Sequence, residues 1–251
     1  MNSLVTAAKI VNSDDVLTDL EILLEIANIG AGHATTSLSK ILQEPIKIEL
    51  PRVHVTSPHL VPGIYGAHDT IVAAIFMQLR GTADCDVMLI FEEKECTKIA
   101  ELMTNGMEVT PEIQRSAIEE MGSIVLTSFL NAIADFTSTK LVLTPPQLII
   151  DSFDAIIDGL LIKQALCSEV AVVFDARFKR YNSSTEGFLI TFPNNELQRM
   201  LIKKGRKWLF SGGSWKVGQD TRIGDELRGM NVRKYEANKV SKQVENNDGI
   251  C

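Results

Sequence analysis

The stretch from Glu21 to Ala34 reads EILLEIANIGAGHA, and it decides both the first long helix and the repeat that organises the chain. Apolar residues at helical spacing predict a helix over 14–42. Glu21, Glu25 and Asn28 fall at i, i+4 and i+7, so this helix is expected to project all three from one face. The opposite face carries leucines and is expected to meet the core.

Two glycines, Gly30 and Gly32, follow Asn28 inside the same predicted helix. Each glycine in a helix interior costs about 1 kcal/mol relative to alanine. We expect the compensation to be bare backbone surface that another molecule can approach closely. A glutamate and an asparagine on a helix are also typical of an ordinary solvated face, and the string alone leaves both interpretations open.

A second copy of the pattern, 95 residues downstream, favours a functional face. The aligned pairs are Glu25 with Glu120, Asn28 with Ser123 and Pro51 with Pro146. In both copies 22 residues lie between the Asn28 or Ser123 position and the proline. Further along, the shift widens to 98 for Phe76 with Phe174 and to 101 for Phe91 with Phe192, which indicates insertions in the strands of the second copy.

The order of predicted elements is the same in both halves. Long helices are predicted at 14–42 and 112–136, shorter ones at 96–103 and 196–204, strands at 46–55, 71–81, 86–91, 141–151, 170–178 and 186–192, and an apolar helix or strand at 155–166. The expected fold is α+β, a pseudo-symmetric tandem repeat in which a mostly antiparallel sheet packs against long helices. We expect one domain over 1–204, with repeats at about 14–104 and 112–204.

Charge is unevenly distributed along the 251 residues. The net charge is −7, of which residues 203–251 contribute 11 basic and 6 acidic groups, or +5, and residues 1–202 contribute −12. An acidic body repels phosphate backbones, so nucleic acid is not an expected partner. We interpret 205–251 as a basic C-terminal extension with a charged helix near 222–244.

Three negative signals bear on location and cofactors. No apolar run reaches the roughly 18 residues of a membrane span, so no membrane insertion is expected. The first residues lack the basic start and apolar run of a secretory signal, which favours a cytoplasmic protein. Four cysteines without a C-x-x-C pair indicate reduced thiols, and four histidines show no metal-ligand spacing, so no metal and no cofactor of its own is expected.

The paired motif resembles the signature of the CheC/CheX/FliY family of chemotaxis phosphatases, and most closely the CheC branch. That signature is Asp or Ser, three residues, Glu, two residues, Asn, twenty-two residues and Pro. The first copy departs from it at its first position, Glu21. The second copy has the usual serine there, Ser116, but Ser123 replaces its asparagine. The resemblance extends over about 14–204.

The resemblance implies hydrolysis of the aspartyl phosphate of a CheY-like response regulator. Asn28 would position the attacking water and Glu25 would dock the regulator, whose own pocket would supply magnesium. Glu120 and Ser123 would form a degenerate second site, since a serine lacks the amide. The deamidase CheD is a second implied partner.

Other functions remain as alternatives. One is a non-catalytic binding module for CheD or a response regulator. A flagellar switch component of the FliY kind would need a further folded domain, which the short polar segment after Lys204 does not favour. The string from Gly30 to Thr35 superficially matches a dinucleotide loop, but it lacks the third glycine and lies inside a helix.

Overall fold

The computed structural model describes residues 13–49, 51–65, 69–80, 84–138, 142–167, 170–180 and 186–210. The chain divides into two compact units, Met1–Ser211 and Gly212–Cys251, and every described residue lies in the first. The helix predicted near 222–244 lies outside the described residues. The basic extension beyond residue 210 therefore stays a prediction.

Six helices and eight strands make up the described part. The helices are α1 (Ser13–Leu42), α2 (Pro62–Tyr65), α3 (Cys96–Met103), α4 (Pro111–Thr137), α5 (Phe153–Cys167) and α6 (Asn195–Phe210). The strands are β1 (Ile46–Ile48), β2 (Arg52–Thr56), β3 (Ile71–Arg80), β4 (Cys85–Glu92), β5 (Val142–Leu143), β6 (Gln147–Ser152), β7 (Ala171–Arg180) and β8 (Glu186–Pro193). Short 3-10 turns occupy Pro58–Leu60 and Glu93–Glu95.

Both long helices predicted from the sequence are confirmed to within one residue at each end. The undecided segment 155–166 is helical, as part of α5. The strand predicted for 46–55 is two strands, because the ladder with β7 is interrupted between β1 and β2 near Pro51. Proline has no amide hydrogen to donate to a ladder, which explains the interruption.

All eight strands form one antiparallel sheet, which confirms the α+β class. Its order is β1-β7-β8-β4-β3-β5, with β2 also pairing with β7 and β6 also pairing with β3. The first two strands of each half therefore pair with the other half. At the centre, the equivalent strands β4 and β8 pair with each other. A pseudo-two-fold axis between them relates the two halves.

The sheet has α1 and α4 on one face and α5 on the other. On the α5 side, Phe153 and Ile157 pack with alternate residues of β3 and β4, among them Val72 and Ile90. On the opposite side, the α4 backbone at Gly122 lies against Ile75 of β3. Because α1 and α4 are equivalent and share a face, the pseudo-two-fold axis is perpendicular to the sheet, and the two helices run antiparallel.

The strand alignment predicted for the two copies is wrong by one residue. Phe192 belongs to the cluster on the α5 side, whereas Phe91 lines the opposite side beneath α1. Phe76 packs against the α5-side cluster, while Phe174 alternates with Val173 of that cluster and so faces the other way. Side chains alternate between faces along a strand, so a one-residue error reverses every one of them.

The boundary predicted after residue 204 falls inside α6, which continues to Phe210. Residues in this last part pack on α1. A Cβ added at Gly205 would lie 2.2 Å from Cγ2 of Ile22, so the two helices approach with no room for a side chain. Arg206 Nε donates to Asp19 Oδ1 at 2.9 Å, and Asp19 is buried. These contacts make 205–210 part of the folded domain.

The helix α4 is long and apolar enough, by composition, to cross a membrane. However, 56% of its apolar window is buried inside the fold. Its buried residues include Phe129 and Leu126. Burial of this kind is typical of the core helix of a soluble domain.

Candidate functional site

Glu25 and Asn28 lie side by side on α1, as the spacing predicts, and their side chains are hydrogen-bonded to each other. The predicted stripe is less exposed than expected: Glu21 is exposed, but Glu25 and Asn28 are both half-buried. Partial burial raises the pKa of the Glu25 carboxyl above its ordinary value, and the hydrogen bond from Asn28 opposes that rise. The partly desolvated carboxylate of Glu25 therefore lies beside the side-chain amide of Asn28.

The two glycines of α1 have different roles. A Cβ added at Gly30 would lie 2.6 Å from Cε2 of Phe129 on α4, so this glycine permits close helix packing. The expectation that it offers backbone to a partner is wrong. A Cβ at Gly32 would meet nothing within 4 Å, and Gly32 is exposed. Only the second glycine, one turn beyond Asn28, presents open backbone.

A shallow groove continues from Gly32 along the rest of α1. Its volume is about 550 Å³, and it is lined by Gly32, Thr35, Thr36, Ser39, Lys40, Gln43, Glu44, Pro45 and Ile48. Gly32, Thr36 and Lys40 follow Asn28 at steps of four and so share its face. This groove was missed from the sequence, although extending the same helical spacing beyond Gly32 would have revealed it.

The helices α1 and α4 meet beyond the motif. The Oγ atoms of Ser37 and Ser128 are 2.7 Å apart, and Ser128 Oγ also donates to the carbonyl of Ile124. Since that donation uses the hydroxyl hydrogen of Ser128, Ser37 is the donor in the pair. The contact fixes the two helices relative to each other and holds the motif of α1 in place.

The second motif face lies at the opposite end of the antiparallel helix pair. Glu120 is exposed and Ser123 is half-buried. At the position equivalent to Gly32, α4 carries Thr127. This face therefore lacks both the amide and the open backbone of the first face.

Glu25 and Asn28 are suited to orienting a water molecule. A primary amide has two donor hydrogens and a carbonyl acceptor, so one bond to Glu25 leaves capacity to hold a water molecule in two directions. Neither side chain is an activated nucleophile. The site suits a reaction whose substrate is already activated and needs a positioned water.

Comparison with known proteins relates the chain to chemotaxis proteins. A model of the CheC-like family matches residues 20–55, a segment that contains Glu25, Asn28 and Pro51. The chain is 31% identical over 162 residues to the Bacillus subtilis protein named CheY-P phosphatase CheC, an alignment that covers 62% of this chain and 78% of the relative. It is 23% identical over 181 residues to the putative CheY-P phosphatase CheC1 of Halobacterium salinarum, with 70% and 91% covered.

Solved structures share the fold. The crystal structure of FliY from Thermotoga maritima matches with a TM-score of 0.59 at 20% identity, and the match covers 75% of this chain and 96% of the chain in that structure. The FliM middle domain from H. pylori matches with a TM-score of 0.53 at 9% identity, with 77% and 99% covered.

The raised pKa of Glu25 predicts how its replacement by glutamine affects stability. A raised folded-state pKa means that the ionised carboxylate destabilises the fold at pH values above that pKa, and that this cost disappears below the unfolded-state value of 4.5. Glutamine keeps an acceptor for Asn28 without the charge. We expect Glu25→Gln to raise the melting temperature at pH 7 and to change it less at pH 4. An equal shift at both pH values would contradict the assignment.

Proposed function

The chain belongs to the CheC-like family of chemotaxis proteins, and on that premise we propose that it hydrolyses the aspartyl phosphate of a CheY-like response regulator. The observation that carries this proposal is the hydrogen-bonded pair of Glu25 and Asn28, one turn before the open backbone at Gly32. The curated relative from Bacillus subtilis, named a CheY-P phosphatase, supports the reaction class.

Asn28 acts by holding water in line with the phosphorus–oxygen bond that breaks. An acyl phosphate is an activated species, so the enzyme needs no nucleophile of its own. The amide both donates to and accepts from the water, as the catalytic glutamine of small GTPases orients its water. The magnesium that neutralises the phosphoryl oxygens belongs to the pocket of the regulator, so the chain contributes orientation alone.

Glu25 has two tasks in this proposal. In the free protein its carboxylate accepts from Asn28, which restricts the rotation of the amide. In the complex the same carboxylate meets a cationic group of the regulator, such as a lysine beside the phosphorylated aspartate. Its partial burial supports this assignment, because a desolvated carboxylate forms a stronger charge-assisted hydrogen bond than a hydrated one.

The regulator docks along α1 beyond Asn28. Gly32 lets its backbone approach the helix, and the groove from Gly32 to Ile48 receives the rest of the contact. Lys40, on the same face and exposed, suits the acidic surroundings of a phosphorylated aspartate. The direction of this surface, from Asn28 towards the carboxyl end of α1, sets the register of docking.

The second face at Glu120 and Ser123 is proposed to be inactive or weakly active. Ser123 supplies a hydroxyl that ends closer to the backbone than an amide, so a water held there lies out of line. Thr127 adds a side chain where the first face has none. The working site is therefore assigned to the first half of the chain.

A binding module is the second candidate function. In that case the same face would hold a regulator, or the deamidase CheD, without turnover. The two candidates differ in one measurement, since only the phosphatase shortens the lifetime of the phosphorylated regulator. Both place the protein in the cytoplasm, where such regulators work.

We expect Asn28→Ala to reduce the rate of phosphate loss from a CheY-like regulator by about 100-fold or more, because the water is no longer oriented. The measurement is the decay of phosphorylated regulator at saturating protein. Asn195→Ala, an exposed asparagine at the start of α6, is the matched control and keeps wild-type activity. Wild-type turnover by folded Asn28→Ala protein would refute the assignment.

The two glycines of α1 give a prediction with opposite signs for stability and activity. Gly32→Ala should raise the free energy of unfolding by up to about 1 kcal/mol, since alanine favours a helix and meets open space. It should also weaken the apparent affinity for regulator by roughly fivefold or more through crowding at the interface. Denaturant unfolding and regulator titration measure the two effects.

Gly30→Ala is the control for that pair. Its Cβ would collide with Phe129, so it should lower stability by about 1–3 kcal/mol. If Gly32→Ala stabilises the fold and leaves regulator affinity unchanged, the proposed docking surface does not include Gly32.

Ser123→Asn should raise turnover per chain, towards double if the two faces act independently. In the Asn28→Ala background, Ser123→Asn measures the activity of the second face alone. Adding Thr127→Gly to that double variant should raise the rate again, because it gives the second face the open backbone that Gly32 gives the first. Single-turnover decay of phosphorylated regulator measures each step, and Ser123→Ala in the wild type should change little. Loss of most activity in Ser123→Ala would mean that the working site is in the second half.

A further inference from the structure

The helix α6 concentrates positive charge on a domain that is otherwise acidic. Residues 1–202 carry a net charge of −12, which is the total of −7 less the +5 of residues 203–251. The 16 residues of α6 include one acidic side chain, Glu196, and several basic ones: Arg199, Lys203, Lys204, Arg206 and Lys207. The positive charge of the folded part is therefore gathered at this helix.

Three of these basic residues form an exposed stripe along α6. Arg199, Lys203 and Lys207 follow one another at steps of four, and all three are exposed. Arg199 Nη2 lies 3.2 Å from Glu196 Oε2, but ion pairs between exposed side chains contribute little free energy. In the described part of the chain, no carboxylate forms an ion pair with Lys203 or Lys207. Like charges at this spacing destabilise a helix, so the basic stripe has a cost that the fold does not explain.

The basic stripe lies beside the motif face of α1, on the same outer surface. The helix α6 contacts α1 where Gly205 meets Ile22, and Ile22 precedes Glu25 by about one helical turn. The buried residues Leu197 and Leu201 face the core. The basic stripe is on the opposite side of α6 and points away from the sheet, as the motif does on α1. A partner docked on the motif therefore also faces the basic stripe.

The pseudo-symmetry supplies an internal comparison. The helix α3 packs on α4 as α6 packs on α1, so α3 flanks the second motif face. Its eight residues contain one lysine, Lys98, and one glutamate, Glu101, and the turn before it, Glu93–Glu95, has two glutamates. The basic charge thus accompanies the face that has Asn28 and not the face that has Ser123. The charge and the amide differ together between two equivalent faces, which links the basic stripe to the work of the first face.

We propose that the basic stripe binds the phosphoryl group and the carboxylates around the phosphorylation site of the CheY-like regulator, and so orients the regulator on the motif face. This inference rests on the proposed function. The acidic body of the domain repels an acidic partner as a whole. A local cationic surface then decides which side of the regulator can approach.

The order of charges along this surface gives it specificity. Glu25 is a carboxylate that lies between the basic stripe at one end of α1 and Lys40 towards the other. A partner fits when it presents a cationic group within an acidic surface, so that the cation meets Glu25 and the acidic groups meet the basic residues. A phosphorylated aspartate with a lysine and magnesium-binding carboxylates beside it has this pattern.

The test compares two charge reversals that change the net charge equally. Lys203→Glu lies at the centre of the basic stripe, and Lys98→Glu replaces an exposed lysine on α3. At an ionic strength of about 25 mM, Lys203→Glu should raise KM for phosphorylated regulator about fivefold or more and change kcat much less. The difference from wild type should shrink at about 400 mM, where exposed charges are screened. Lys98→Glu should leave KM within about twofold of wild type.

Three outcomes overturn the proposal. Equal effects of the two substitutions would mean that net charge alone acts. An effect of Lys203→Glu that is the same at both ionic strengths would mean that the lysine does not act through its charge. If Lys203→Glu leaves KM unchanged but releases the chain from vesicles of anionic phospholipid, the basic stripe is a membrane-binding surface.

A binding measurement separates this inference from the proposed function. The regulator, activated with beryllium fluoride and magnesium, is titrated with each variant in the absence of turnover. Salt-sensitive binding that Lys203→Glu weakens, in a wild-type chain that does not shorten the lifetime of phosphorylated regulator, supports the basic stripe and refutes the phosphatase. Wild-type hydrolysis with regulator binding indifferent to Lys203→Glu supports the phosphatase and refutes the basic stripe.

Discussion

The exchange of strands between the two halves is the constraint on which the rest of the structure depends. Strands β1 and β2 complete the sheet only by pairing with β7, and β6 completes it only by pairing with β3. Neither half can satisfy its backbone hydrogen bonds alone. The exchange fixes the pseudo-two-fold axis, which places α1 and α4 antiparallel on one face of the sheet. The motif residues of the two helices therefore lie at opposite ends of the helix pair.

The helix α1 packs against α4 on one side, and on another side it carries the residues that we propose to contact the regulator. Gly30 and Ser37 serve contact with α4, while Glu25 and Gly32 look outward. The outward residues reduce the stability of the helix, one through a partly desolvated charge and the other through backbone entropy. The rigid contact with α4 and the anchor between Asp19 and Arg206 hold the helix despite these costs. The residues that we propose to act on the regulator are thus ones that lower the local stability of the helix.

Much of the fold was predictable because its signals are local. Helical spacing located α1 and α4, and the repeat of Glu25 and Pro51 at Glu120 and Pro146 indicated the pseudo-symmetry. The alignment of equivalent strands in the two copies was not predictable. Matching Phe76 with Phe174 by residue type ignores which face of the sheet each side chain occupies. The helix α6 was predicted too short, since the prediction stops at Lys204. In the fold the helix continues through Gly205, whose missing side chain permits the contact with Ile22.

The strand exchange also imposes an order in time. Arg52 pairs with Asp175, so β2 has to wait for about 120 further residues before its partner exists. At roughly 5–20 residues per second of synthesis, that delay is on the order of 6–24 s. During this interval a nascent chain holds α1, β1 and β2 with their apolar sides uncovered, and the long sequence separation slows closure afterwards. The topology that joins the two halves therefore leaves the nascent chain accessible to chaperones during synthesis.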